Sequence, residues 1–205
     1  MMQPSSKQPL VLNNGWLCLD FVNTKSWRGS AAPGETLHSY QDVISWVQRT
    51  HAVSASQAAA LLKHAKRHPT RAQQALEQAL ALREALYRML AATSAGAPMP
   101  QQSLATLNVV LSQALSRLQL FIDKQKEFVL NWDYQGLELA VWPVIWSAAQ
   151  LLTSPQLARV GQCANPACGW MFFDTSKNRS RRWCSMKYCG NVAKARRHYR
   201  KQRSA

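Results

Sequence analysis

The sequence predicts a mainly α-helical domain with one small β-hairpin (α+β). A small four-cysteine zinc module follows, treble-clef-like or knuckle-type, with a basic C-terminal helix. Three observations predict this. Apolar residues recur at helical spacing through most of residues 38–118. Two apolar runs, LQLFID and EFVLNW, flank a polar DKQK. Four cysteines then fall in one short, strongly basic window.

The elements follow in order. MMQPSSKQPL lacks a long apolar run and reads as a lead-in rather than a secretion signal. Residues 11–27 predict a short helix or strand packing Leu17, Leu19 and Phe21 or Val22. Gly29, Pro33 and Gly34 place a loop over 29–36. Tyr40, Val43, Ile44, Trp46 and Val47 predict a helix over 38–49. Ser54 and Gln57 form a capping-box pattern before AAALLKHAKR, which Pro69 ends. Thr70 and Gln73 repeat the pattern before a helix reaching about Ala92, with Leu76, Ala79, Leu80, Leu86, Met89 and Leu90 inward. TSAGAPMP is a linker. Leu104, Leu107, Leu111, Leu115 and Leu118 predict a helix over 101–118. Residues 117–133 predict the hairpin. LELAVWPVIWSAAQLL is an apolar helix with Pro143 in its first turn or at a kink. Ser154-Pro155 reads as N-cap and first residue of a short helix to about Val160. This organisation divides the chain into a helical regulatory or ligand-sensing domain, 10–158, and a finger, 159–203.

Charge divides at the same place. Residues 1–158 carry 13 Lys/Arg against 9 Asp/Glu, whereas 159–205 carry 12 against Asp174 alone. Such a field favours a polyanion, with DNA and RNA ahead of an anionic membrane surface. No run of 18 uncharged apolar residues occurs, so no membrane span is expected and a cytoplasmic, nucleoid-associated protein is.

Cys18 lies in WLCLDF and reads as buried and inert. Cys163, Cys168, Cys184 and Cys189 give C-x4-C-x15-C-x4-C. Thiolates suit a tetrahedral Zn2+, and four of them leave no open position for catalysis. Iron–sulfur ligation and four unligated core cysteines are the other readings. Pro166 and Gly169 suggest a tight turn, Ser185 an N-cap, and Trp170, Phe172, Phe173 and Trp183 a tiny apolar core. The candidate DNA contacts are Arg179, Arg181 and Arg182 between the pairs, then Lys187, Lys194, Arg196, Arg197, Arg200 and Lys201 along the last helix. Arg181 and Arg182, next to Cys184, are the candidates for specific contacts.

The segment CANPACGWMFFDTSKNRSRRWCSMKYCGNVAKARRHYRK resembles the CGNR zinc finger of bacterial proteins. That family places it after an ABATE domain, described as a stress-induced transcription regulator. LCLDFVNT, ALREALYRML and SAAQLLTSPQLARV fit that domain. The resemblance implies that the four cysteines are metal ligands and that RRWCS and the Lys/Arg run form a DNA-binding surface. The Cys-Gly-Asn-Arg signature reads Cys189-Gly190-Asn191-Val192 here, and Arg179 stands where a small loop residue such as Gly is expected.

Three functions compete. The first is a DNA-binding transcription regulator whose N-terminal domain senses a small-molecule effector or makes a homodimer. The second is a protein-interaction module stapled by zinc. The third is an enzyme built on Asp20, Asn23, Arg28 and His38; no acid/base pair with a chemical task supports it. His64 and His68 lack the Glu of HExxH and read as solvated.

Overall fold

The computed structural model describes residues 15–132, 134 and 136–203; within 191–203 it does not describe the side chains of Arg197, His198, Arg200 and Lys201. The lead-in, residues 11–14 of the first segment and the start of the expected 10–158 domain lie outside the described residues.

Helix α1 (Leu17–Val22) is short but central: Cys18, Leu19, Phe21 and Val22 are completely buried. Six residues cannot satisfy their own first-turn amides. The Cys18 N–H therefore donates to Ser147 Oγ of a later helix at 3.3 Å. Helix α2 (Tyr40–Arg49) starts at a full capping box between Ser39 and Asp42. It buries Trp46 against Phe21, with ring centroids 5.3 Å apart. Helix α3 (Ala55–Arg67) has the expected Ser54–Gln57 capping box. The long α4 (Pro69–Ala95) begins two residues earlier than an N-cap at Thr70 predicts: Pro69 takes the first turn, where its missing N–H costs nothing, and the N-cap position falls to His68. It ends at Gly96, whose φ of 62° lets the Ala97 N–H reach back to the Ala92 carbonyl at 2.8 Å.

Helix α5 (Gln101–Leu115) buries Leu107 and half-buries Leu104 and Leu111. The leucine row continues past the helix end, so Leu115 is exposed and Leu118 opens a strand. That strand, β1 (Leu118–Ile122), pairs antiparallel with β2 (Phe128–Trp132) around the DKQK turn. A 3-10 turn over Leu137–Val141 leads into α6 (Trp142–Leu152), with Pro143 in the first turn. A second 3-10 turn, Pro155–Arg159, is capped by Ser154 Oγ, which accepts from the Gln156 N–H.

One apolar core joins α1, α2, α3, α4, α5 and α6. It also takes in Val160 and Met171 from a second antiparallel hairpin, β3 (Val160–Gln162) and β4 (Met171–Phe173). Three-residue strands carry no periodicity, and this hairpin is absent from the sequence expectation. Phe173 faces the helical body, packing on Trp16 with centroids 6.5 Å apart, rather than filling the cysteine module. After the module, a π-helical turn (Met186–Gly190) runs into α7 (Asn191–Arg203). Among the described residues no helix is long and apolar enough to cross a membrane.

Candidate metal centre and nucleic-acid interface

The first cysteine pair sits at the tip of the β3–β4 hairpin. The Cys163 N–H donates to the Trp170 carbonyl at 2.8 Å, closing the tip. Inside it the Asn165 carbonyl accepts from the Cys168 N–H at 2.9 Å, and Gly169 turns the chain with φ 69°. In the second pair Cys184 precedes the π-turn and Cys189 lies within it. Ser185 holds the N-cap position, yet its side chain caps nothing. The Ala164 N–H donates to the Arg182 carbonyl at 2.8 Å, so the two halves are stitched together by backbone.

This folding brings all four Sγ atoms within 4.8 Å of one another. Cys168 and Cys184 Sγ are 3.6 Å apart, and Cys184 and Cys189 Sγ 3.7 Å. Four sulfurs about 2.3 Å from one zinc stand about 3.8 Å from each other in a tetrahedron. The cluster is geometrically suited to a structural Zn2+. Cys163, Cys168 and Cys189 are buried and Cys184 half-buried. Crowded thiols share protons: contact with the Cys168 and Cys184 sulfurs pulls the Cys163 thiol far down, while contact with Cys163 pushes those of Cys168 and Cys184 up. Bound zinc would supply two positive charges to neutralise the thiolates and a four-way crosslink. Cys18 is remote from this chemistry; burial pushes its thiol up to about 12.

Three braces support the module; sequence reasoning singled out neither Asn165 nor Arg159, and named Asn23 only as a candidate enzyme residue. Asn165, almost fully buried, accepts from the Ala167 N–H and points Nδ2 at Cys189 Sγ at 3.5 Å, so it touches both pairs. Its place before Pro166 is a turn signal that could have flagged it. Arg159 donates from Nη1 to the carbonyls of Asp174 and Ser176. Asn23 clamps β4 through both ends of its amide: Nδ2 donates to the Met171 carbonyl at 2.8 Å and Oδ1 accepts from the Met171 N–H at 2.9 Å.

The 26–34 loop meets the module directly. The Arg28 and Gly29 N–H groups donate to the carbonyls of Cys168 and Ala167 at 3.1 and 3.3 Å. A Cβ on Gly29 would overlap the Pro166 carbonyl oxygen, so glycine is required for this approach. Arg28 stacks 3.9 Å over the Tyr87 ring, donates to the Val22 carbonyl and pairs with Glu84 at 2.7 Å. Burial pushes the Glu84 carboxyl up, but the hydrogen bond and charge of Arg28 outweigh it and hold it below its ordinary value. Trp170 Nε1 donates to the Lys25 carbonyl at 3.2 Å. Asn23 and Arg28 thus hold a seam rather than line a catalytic pocket; Asp20 is buried on α1, and His38 is exposed before α2.

The basic residues divide into two groups. Arg181 faces inward: its guanidinium donates to the carbonyls of Phe173, Trp183 and Cys184 and lies 4.8 Å over the Phe172 ring. Its backbone N–H donates to Asp174, whose carboxyl is held below its ordinary value chiefly by the hydrogen bond from Ser176. Arg179, Arg182, Lys187, Lys194 and Arg196 are exposed. Arg179 has φ 50°, a left-handed conformation, at the position where a small residue is expected. The expected contacts Arg197, Arg200 and Lys201 lie on α7, their side chains outside those described.

Residues 15–155 match the family model "Putative stress-induced transcription regulator", ABATE. The chain belongs to the ABATE family. Residues 159–202 match the CGNR zinc finger, so this ABATE protein joins a regulator domain to a zinc-finger domain, and neither family is a catalytic one. A comparison with curated proteins gives no match. The seam described above is where the ABATE body meets the CGNR finger, and Val192 in its Cys-Gly-Asn-Val sequence is partly exposed on α7.

Proposed function

We propose that this ABATE protein is a cytoplasmic DNA-binding transcription regulator. Cys163, Cys168, Cys184 and Cys189 hold one structural Zn2+, and the stapled module presents a basic surface to the duplex. The observation that carries the reading is the segregation of charge: twelve Lys/Arg against one acid after residue 158, on a scaffold with four convergent sulfurs. Phosphate contacts supply affinity for most of these groups. Arg179, Arg182, Lys187, Lys194 and Arg196 are exposed, and Arg197, Arg200 and Lys201 share α7 with the last two. Arg182, beside Cys184, is the candidate for sequence-specific contact. Arg181 instead braces the scaffold, because its guanidinium is engaged by three carbonyls.

The ABATE body serves as sensor or oligomerisation platform. A cleft of about 680 Å³ between α3, α4 and the turn before α6, lined by His64, Arg71, Gln74, Tyr134 and Glu138, is where a small-molecule effector would sit.

The test is a salt titration of binding to random and selected duplexes. Neutralising Lys194, Arg197 and Lys201 together weakens binding to all DNA and flattens the salt slope by about 1 per lost phosphate contact. Changing Arg182 alone shifts preference among sequences. A triple variant with unchanged affinity and slope overturns the DNA reading and favours a module for protein contacts.

A further inference from the structure

The β1–β2 hairpin carries an apolar face that nothing among the described residues covers. Register places Leu120 opposite Leu130 and Ile122 opposite Phe128. Side chains alternate along a strand, so these four share one face. They are 68%, 55%, 66% and 76% exposed in the order Leu120, Leu130, Ile122 and Phe128. Nearer the body the face continues through Leu118 and Trp132, both half-buried; Trp132 Nε1 donates to the Ala114 carbonyl at 3.0 Å. At the tip, the Asp123 carboxylate accepts the N–H groups of Gln125 and Glu127, which fixes the turn. The result is an arm held at its base and its tip, with its apolar side in water. A two-stranded hairpin alone is marginal in water and needs a surface to pack on.

We propose that this face packs against the same face of a second copy of the chain, hairpin on hairpin, making a two-fold dimer. Three observations select that occupant. The four exposed side chains offer roughly 450 Å² per copy, and two copies with the flanking residues approach the roughly 1,000 Å² that a specific interface needs. The row is self-complementary: each rung of the face pairs apolar with apolar, so a two-fold axis sets it against itself without a mismatched charge. The chain carries a net charge of +15, yet the arm is neutral, Lys124 and Lys126 being balanced by Asp123 and Glu127. Two strongly basic molecules meet at the lowest electrostatic cost where their charge is balanced. Because the arm is already ordered, association immobilises little chain.

The inference rests on the platform reading of the ABATE body and names its surface. The experiment is a solution-mass measurement on the zinc-loaded full chain without DNA, by sedimentation or light scattering. Wild type is expected at twice the 23.1 kDa chain mass. A fourfold variant, Leu120→Thr, Ile122→Thr, Phe128→Thr and Leu130→Thr, keeps β-forming side chains and is expected at the monomer mass with unchanged helical circular dichroism. Leu120→Glu, a single exposed change, gives the same readout should the fourfold variant fail to fold. Gln119→Lys, on the opposite face, stays dimeric. A dimeric threonine or glutamate variant overturns this surface and leaves the platform reading standing; a monomeric wild type at tens of micromolar overturns both. Neither outcome depends on DNA binding.

Discussion

The helical body and the cysteine module of the same chain are held together by different physics. The body buries more than thirty apolar side chains in one cluster spanning α1 to α6. The module buries three cysteines with Trp170, Trp183 and Cys184 packed on them. Apolar burial stabilises by roughly 25 cal/mol per Å², and so small a cluster cannot offset the ordering of some forty residues. Its stability has to come from elsewhere, from contacts with the body and, on the proposed reading, from zinc in the four-cysteine cluster. Its own braces are polar: Asn165, Arg159 and Arg181 hold carbonyls and a sulfur through hydrogen bonds. A basic, solvent-rich surface can be kept rigid in this way, with crosslinking in place of a core.

The largest effect is expected at a ligand. Cys163→Ser or Cys189→Ser should abolish zinc binding and unfold the module, because metal binding of about 10 kcal/mol is folding energy for such units. Most of the helical signal should survive. Loss of the whole cooperative melt would show that the body depends on the module as strongly as the module on zinc. A truncated chain ending near Val160 probes the same dependence. It gives up Met171 from the body core and the Asn23 clamp, and is expected to fold with a lowered melting temperature.

The body's counterpart to the cysteines is an ion pair anchored on a buried arginine. Arg83 is 2% exposed and grips Glu35 through both terminal guanidinium nitrogens at 2.6 Å, with Thr24 and Glu84 beside it. Arg83→Met should cost about 3 kcal/mol and leave zinc stoichiometry at one. Burial pushes the Glu35 carboxyl up, but the Arg83 hydrogen bonds outweigh it and hold it below its ordinary value. A depressed carboxylate stabilises the fold above its unfolded pKa and loses that contribution as pH falls through the lower folded value. Wild type should therefore lose stability below about pH 4.5. The Arg83→Met variant should show a shallower acid limb in pH-dependent thermal melts.

The seam gives the next effect. Asn23→Ala removes two hydrogen bonds to Met171 and should cost about 2 kcal/mol. Thermal melts followed by circular dichroism and by tryptophan fluorescence should fall together. A drop in one probe alone would mean that the two regions melt separately. The smallest change acts on the module by itself. Arg179 holds φ 50°, so Arg179→Gly should raise the module's stability by about 1 kcal/mol while removing one cation from the proposed DNA surface. Chemical denaturation of the zinc-loaded protein, followed by tryptophan fluorescence, reads it.

Residues with a period were legible in sequence. The Ser54–Gln57 capping box, the leucine row of α5 up to Leu111, the DKQK hairpin and the cysteine spacing all declare themselves locally, whereas the Thr70–Gln73 pattern misled. Contacts between distant segments were not. Nothing in LCLDFVNT says that Asn23 will reach Met171, 148 positions away, or that the 29–36 loop will press Gly29 against Pro166. Three-residue strands such as β3 and β4 lie below any periodic signal. Arg181 looked identical to Arg182 in the sequence because composition reports charge, whereas the carbonyls around Arg181 decide its use.

Zinc in the four-cysteine site is what builds the DNA-binding surface on this reading. The most direct test titrates zinc into metal-free full-length protein while following tryptophan fluorescence and duplex binding in one sample. Both signals are expected to rise together and saturate at one zinc per chain. Duplex binding that is already complete without zinc, or that fails to appear once the site is full, would contradict it.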